Sequence, residues 1–184
     1  MLLVVAATEP ELAGVAGVAP VCVCGIGPVE AAAATAAALA TERPRAVLHV
    51  GLAGARRGSG IEAPALIIGA EALYEDLTGP LAPRRAVPDA ALLRAARRAL
   101  PDARVLAIGT SAAVGGTRTA PIEAMEGFAV LRAAELAGVP AVEVRAVANE
   151  IEEPDRGRWR IAEALEALTS ATPALVETML PCAS

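Results

Sequence analysis

Acid–base chemistry in this chain would fall to a few carboxylates placed beside turn signals. Glu11 follows the apolar run Leu2 to Ala6, with Glu9 two residues before it and Pro10 between them. In the plainer reading both are solvated side chains in the first turn of a helix. In the functional reading one of them is partly buried in a crevice and works as a general acid or base. Glu123 and Glu126 stand where a helical pattern opens, and acidic residues there are ordinary partners of the helix dipole. Met125, Phe128 and Leu131 fall on or near one side at helical spacing, the usual mark of core residues. Asn149 ends a β-branched run in a chain that has no glutamine and no other asparagine. Its plainest role is a turn residue bonded to nearby backbone. His49, within Val47-Leu48-His49-Val50, reads as a core histidine, and without a second histidine a His pair or histidine-based metal site is excluded. Cys22 and Cys24 alternate with valines and Cys182 lies near the end of the chain, so neither metal spacing nor a disulfide framework is present. They are expected to be reduced packing residues, and no metal is expected.

The elements that must position these groups alternate in kind. Short β-branched runs at Leu2–Ala6, Val21–Cys24, Ala46–Val50, Ala65–Ala70, Val105–Ile108 and Ala141–Val147 are separated by alanine- and leucine-rich stretches. Strands covered on both faces by helices have this appearance, and the fold class is α/β. Helices are expected from Pro28 to about Thr41, from an Asp89 cap to Leu100, from about Glu123 to Ala137, and from near Trp159 after a polar loop at Glu152 to Gly157. In such sheets the ligand crevice lies beyond the carboxyl ends of the strands. That directs attention to Thr8–Glu11, Gly25–Gly27, Gly51–Gly54, Gly109–Ser111 and Ala148–Glu150.

Composition narrows the possibilities further. A chain of 184 residues with 55% hydrophobic and 20% charged residues fits one globular domain over 1–184 and is too apolar for intrinsic disorder. Its net charge of -5, scattered arginines and single Trp, Tyr and Phe offer nucleic acid neither a basic patch nor a stacking platform. The N-terminal apolar run lacks a basic flank and meets Glu9 and Glu11 too soon for a signal peptide, and no run is long enough to span a membrane. A soluble, cytoplasmic protein is the expectation. The stretch Gly25-Ile26-Gly27-Pro28-Val29-Glu30 has the outline of a dinucleotide loop, but Glu30 occupies the place of the third glycine and would repel a pyrophosphate. No nicotinamide or flavin, and no other cofactor, is expected.

In this order the segments Ala7-Thr8-Glu9-Pro10-Glu11, Gly25 to Ala32, Gly51-Leu52-Ala53-Gly54, Glu123 to Ala129 and Glu143 to Asn149 resemble the nucleoside phosphorylase and nucleosidase superfamily. Within it the likeness is nearest to the futalosine hydrolase family, relatives of the methylthioadenosine/S-adenosylhomocysteine nucleosidases, and Pro154-Asp155-Arg156 with Trp159 adds to it. The resemblance implies a single-domain three-layer α/β/α fold with a central mixed, mostly parallel sheet. It also implies cleavage of the N-glycosidic bond of a purine nucleoside, with futalosine, an intermediate of menaquinone biosynthesis, as the favoured substrate. By position it assigns Glu11 to the attacking water, Glu126 to the ribose hydroxyls, Met125 to the side of the sugar and Asn149 to the base, where adenine-cleaving relatives carry an aspartate. Ala53, Gly54, Phe128 and Arg156 join the substrate-binding set, and a homo-oligomer, dimer or larger, is implied.

Asn149 fits a 6-oxopurine, since its NH2 donates to the 6-oxo group and its carbonyl accepts from a protonated N7. Leu52, where phosphate-using relatives offer a hydroxyl, points to hydrolysis. Ala112-Ala113-Val114 supplies no aromatic for the base, and a shortening between Tyr74 and Pro88 would trim a lid. Arg156, Arg118 and Arg145 are the candidates to pair with a substrate carboxylate. The alternatives are a methylthioadenosine-type nucleosidase, a purine nucleoside phosphorylase, and a nucleoside-binding protein without catalysis.

Overall fold

A computed structural model describes residues 1–15, 17–79 and 84–183. The chain runs β1 (Leu2–Ala6), a 3-10 helix (Glu9–Val15), β2 (Val21–Val23), α1 (Pro28–Glu42), β3 (Ala46–Ala55), β4 (Leu66–Tyr74) and β5 (Arg85–Ala86). It continues with α2 (Ala90–Ala99), β6 (Arg104–Thr110), β7 (Ile122–Ala124), α3 (Gly127–Leu136), β8 (Ala141–Glu150), a short 3-10 turn (Arg156–Arg158), α4 (Ile161–Met179) and a last 3-10 turn (Leu180–Ala183).

Local chemistry explains most of the helix ends. Pro28 opens α1, where a missing N–H costs nothing. Asp89 caps α2, its carboxylate accepting from the N–H of Ala91 at 2.8 Å and of Leu92 at 3.0 Å. Pro173 inside α4 leaves the Thr169 carbonyl without its helical donor. Gly14 of the first 3-10 helix packs directly on that carbonyl, where any Cβ would collide with it. This close approach seats the Glu11-bearing turn on α4.

The strands form one mixed sheet in which β1–β2, β1–β3, β3–β8, β4–β6 and β6–β7 pair parallel and β3–β7, β4–β5 and β4–β8 antiparallel. Because β8 joins β3 to β4, the strands β3, β7, β6, β4 and β8 close into a ring. Ala53, Ala55, Ile67, Ile108, Ile122 and Val147 form a small apolar core of their own with these strands. On one side of the flat part Leu3, Val5 and Val47 pack against α1 and α3, and on the other Val4, Leu48 and Val144 pack against α2, α4 and the first 3-10 helix. These are the three layers expected from the alternation of elements.

Several boundaries differ from the sequence reading. Strand β3 continues through Gly51-Leu52-Ala53-Gly54, expected as a strand end, because the ring needs a long strand that β7 and β8 can both pair with. Ile122–Ala124, expected as the first turn of a helix, is instead β7, and α3 starts only at Gly127. Glu123 is therefore no dipole partner of α3: its two carboxylate oxygens accept from the N–H groups of Gly115 and Thr117, each at 2.7 Å. The last helix begins at Ile161, two residues after Trp159. Of the segment between Tyr74 and Pro88 that was expected to carry a trimmed lid, residues 80–83 lie outside the described residues.

Candidate active site

The carboxyl ends of β1, β3 and β8, strand β7, and the starts of α3 and α4 converge on a cleft of about 330 Å3. Glu11, Leu52, Ala53, Gly54, Met125, Glu126 and Asn149 all line it, brought together from four separate stretches of sequence. Its volume falls in the range of small-molecule sites.

Glu11 is only 6% exposed, whereas Glu9 and Pro10 face solvent. One carboxylate oxygen accepts from both the N–H and the hydroxyl of Thr8 at 2.8 Å, and the other accepts from the N–H of Leu52 at 2.9 Å. The contact to the Thr8 N–H is one half of a capping box, the acid reaching back to the residue that starts the turn, while the Thr8 hydroxyl donates to the same oxygen. A carboxylate has about four lone-pair sites. Three are filled by these donors, so Glu11 retains capacity to accept one more proton donor from the cleft.

Glu126 is 4% exposed and stands at the head of α3 without capping it. One of its oxygens accepts from the N–H of Gly27 at 3.1 Å, and the other accepts from Arg145 Nη1 at 3.3 Å. Gly27 sits at φ 92°, a conformation that favours glycine, and it turns the loop before α1 toward this acid. The glycine loop that resembled a phosphate cradle thus spends its N–H on a carboxylate of the same chain.

Beneath the cleft lies a buried charge cluster. Arg145 is 1% exposed and donates from Nε to Glu143 at 2.7 Å and from Nη1 to the Leu52 carbonyl at 3.3 Å. Its Nη2 meets His49 Nε2 at 2.5 Å. Gly51 makes room for the cluster, since a Cβ there would collide with Arg145 Nη1 and stand 2.9 Å from a Glu11 oxygen. Burial opposes the charge on Arg145, but Glu143, Glu126 and Glu11 more than reverse this and hold its guanidinium above its ordinary value. Burial pushes the Glu143 carboxyl above the usual carboxylate range, with Arg145 pulling against it and Glu126 adding to it. Burial, then the charge of Glu126, pushes the Cys24 thiol up to about 12, so this cysteine is a protonated packing group.

His49 is a core histidine with a definite role. Nδ1 lies 3.0 Å from the Val5 carbonyl, which can only accept, so Nδ1 carries the proton and Nε2 offers a lone pair to Arg145. Burial, then Arg145, pulls the imidazole well below its ordinary value. The unfolded chain therefore binds a proton near pH 6.5 that the native state refuses, so this group makes stability fall as pH drops through that region. The slope approaches about 1.4 kcal/mol per pH unit below pH ~6.5. Urea unfolding at pH 7.5 and 5.5 tests it: the native protein should lose more stability at the lower pH than His49→Gln does. Glu143 works in the opposite sense but is present in both proteins, so equal losses would contradict a neutral buried imidazole.

The remaining residues singled out from sequence divide. Asn149 is half-buried, and its Nδ2 donates to the Glu150 carbonyl at 2.8 Å, the local backbone bond of a turn residue. Its Oδ1 has no hydrogen bond among the described residues. Gly54, opposite it in register, lacks the Cβ that would stand 3.0 Å from Nδ2. Phe128 does not line the cleft. It is buried and stacks on Tyr74 with ring centroids 5.1 Å apart, in the layer between sheet and α3. Arg156 is exposed outside the lining, with its guanidinium 5.4 Å from the centre of the Trp159 ring, which does line the cleft. Arg145, one of three arginines considered for a substrate carboxylate, is already committed to Glu143 and Glu126 and cannot serve.

Arg145, Glu143 and His49 as a cluster were missed from sequence. A usable signal was present, because a buried parallel strand reads as an unbroken apolar run, and Glu143 and Arg145 interrupt one at adjacent same-face positions. Among the described residues no group of three or more His, Cys, Asp or Glu could hold a metal ion, and no helix is long and apolar enough to cross a membrane.

Comparison with known proteins agrees with this architecture. A segment of 57 residues is 53% identical to the futalosine hydrolase of Streptomyces coelicolor, spanning 31% of this chain and 24% of that protein. Among solved structures, a mutant of futalosine hydrolase from Helicobacter pylori superposes with a TM-score of 0.84 at 15% identity, covering 98% of each chain. The 5'-methylthioadenosine/S-adenosylhomocysteine nucleosidase of Neisseria meningitidis, in complex with methylthio-immucillin-A, gives 0.83 at 20% identity over 97% of each chain. Such identities speak for the fold. The sequence pattern of the phosphorylase superfamily itself matches residues 12–181, from within the first 3-10 helix to the last 3-10 turn, and the chain belongs to that superfamily.

Proposed function

We propose that the protein hydrolyses the N-glycosidic bond of a 6-oxopurine nucleoside, with futalosine as the favoured substrate and hypoxanthine as the released base. The observation that carries this reading is the charge of the cleft. Glu11, Glu123 and Glu126 are in its wall, while no arginine or lysine is among the described lining residues. Arg145, the cation beneath, is already shared by two carboxylates. A phosphate dianion would find no counter-charge there, and Leu52 offers it no hydrogen bond from its side chain. Water meets no such penalty, and a positively charged, oxocarbenium-like sugar is stabilised by the same acids.

Glu11 takes the proton of the attacking water at the position left open in its hydrogen-bond set. Glu126, held by Gly27 and Arg145, accepts from the ribose hydroxyls, and half-buried Met125 packs beside the sugar. Asn149 keeps one N–H and its Oδ1 for the base, donating to the 6-oxo group and accepting from N7–H once solvent has protonated N7; the base leaves with that proton, and the proton taken by Glu11 returns to solvent. At the mouth, Arg156 stacked on Trp159 suits an aromatic carboxylate on the 5′ side of the nucleoside.

Base selectivity tests the Asn149 role. A site built to pair with a polar group rejects an analogue lacking it by ~10^4 to 10^5 at the strong end. The protein should therefore cleave hypoxanthine nucleosides far faster than adenine nucleosides, and Asn149→Asp should narrow or invert the ratio of kcat/KM. Comparable turnover of both bases by the unaltered protein would sink this role. We also assign a homo-oligomer, on the exposed apolar side chains Val21, Val23, Ile26 and Val29, of which Ile26 lines the cleft. Light scattering that gives the mass of one chain would contradict it.

A further inference from the structure

We infer that Glu143 and His49 are positioning residues that aim Glu126 at the sugar, acting through Arg145. This assignment takes Glu126 as the sugar-holding acid, as proposed above. Both residues are fully buried and neither lines the cleft, so neither can touch a nucleoside bound in it. The register of β3 and β8 sets them side by side, with His49 opposite Glu143 and Gly51 opposite Arg145. Side chains two apart along a strand share a face, so Glu143 and Arg145 point the same way, into the layer beneath α3.

The guanidinium is a planar fork, and its edges are fixed in different directions. Nε is held by Glu143, Nη2 by His49 Nε2, and only Nη1 is left to reach Glu126 together with the Leu52 carbonyl. Gly127, the first residue of α3, completes the seat, because any Cβ there would collide with both oxygens of Glu143. With Glu143 and His49 in place, the cation cannot turn about its stem without breaking two buried hydrogen bonds.

Neutralising Glu126 would not require this arrangement. Glu143 adds a second buried acid to one cation, and its Oε2 has no hydrogen-bond partner among the described residues. Such a group is a burden on stability. Its presence fits a demand for orientation, since a hydrogen-bonded cluster with one satisfied geometry rigidifies the groups it holds.

The test uses Glu143→Leu, His49→Leu, Glu143→Gln and His49→Gln in the full chain, with futalosine as the probe and rates expressed per folded molecule. Bonds from the sugar hydroxyls strengthen as charge develops on the ribose, so a misaimed Glu126 should appear in kcat and leave KM nearly unchanged. The leucine variants should lose roughly 10- to 100-fold in kcat, and the glutamine variants, which keep an acceptor in place, should recover most of it. Leucine variants that fold and turn over at the native kcat would overturn the inference.

A second arm does not depend on turnover. Because His49 is the only histidine, a 15N-histidine spectrum reports on it alone. The native protein should show a neutral Nδ1–H imidazole, and Glu143→Leu should shift the Nε2 resonance as the guanidinium turns, while Glu143→Gln, which keeps an acceptor for Nε, should leave it near its native position. An unmoved resonance in Glu143→Leu would also overturn the inference. If the native protein cleaves no nucleoside, the hydrolase reading fails by itself, while the resonance still decides whether Glu143 aims the guanidinium.

Discussion

Replacing Glu11 by Gln should lower turnover by about 10^2 to 10^4 while nucleoside binding survives, because general-base action supplies that much of a rate. The substitution keeps the shape of the side chain. It removes the negative charge proposed to draw a proton from water, and it leaves Glu126, Met125 and Asn149, the proposed sugar and base contacts, untouched. A second, smaller effect comes with it. Glu11 accepts from Thr8 on one oxygen and from Leu52 on the other, and an amide has only one oxygen for these two sets of donors. Loss of the cap contacts costs about 1 kcal/mol, which thermal unfolding would register as a modest shift. Single-turnover kinetics with saturating nucleoside separate the effects: the chemical step slows while the dissociation constant holds. A near-native rate would remove Glu11 from the mechanism.

Arg145→Met is expected to be the most damaging change to stability. Methionine fills similar space without charge and strands Glu143 and Glu126 in the layer under α3, where they are 0% and 4% exposed. Breaking a buried ion pair by removing one partner costs about 3–5 kcal/mol, because the remaining charge is left uncompensated. Adding Glu143→Gln to Arg145→Met should recover part of that loss by removing one of the two stranded acids. Urea unfolding of the three proteins checks both statements. A single variant within about 1 kcal/mol of the native protein would mean that the cluster carries little net charge interaction.

The layers of this fold were legible because strands buried on both faces and alanine-rich helices write different patterns. Strands β1 and β2 and helices α1 and α2 begin where β-branched runs, Pro28 and Asp89 place them. The ring was not legible. Strand β7 is three residues long and begins the Ile-Glu-Ala-Met-Glu stretch, whose acids look like a helix start. Only pairing with β3 and β6, distant in sequence, makes it a strand, as tertiary context overrides local preference.

The site divides in the same way. Glu11, Met125, Glu126, Ala53, Gly54 and Asn149 line one cleft. It was the resemblance of their segments to the superfamily that picked them out, since the residues read alone left Glu11, Met125 and Asn149 with ordinary structural roles. Phe128 and Arg156 stand outside it, since motif adjacency says nothing about which way a side chain turns at the head of a helix or in a polar turn. The Arg145 cluster was hidden for a different reason. Arg145 and Glu143 are 93 to 96 positions from the residues they meet on β3, and the pairing of β3 with β8 alone brings them together.

Hydrolysis with water as the nucleophile and hypoxanthine as the leaving base is the central proposal for this cleft. Its most direct test is the initial rate of hypoxanthine release from futalosine by the purified protein, followed by chromatography across a range of phosphate concentrations that starts at zero. The charge of the cleft predicts full activity without phosphate, no rise as phosphate is added, and a free sugar as co-product. A rate that needs phosphate and yields a sugar 1-phosphate would contradict it.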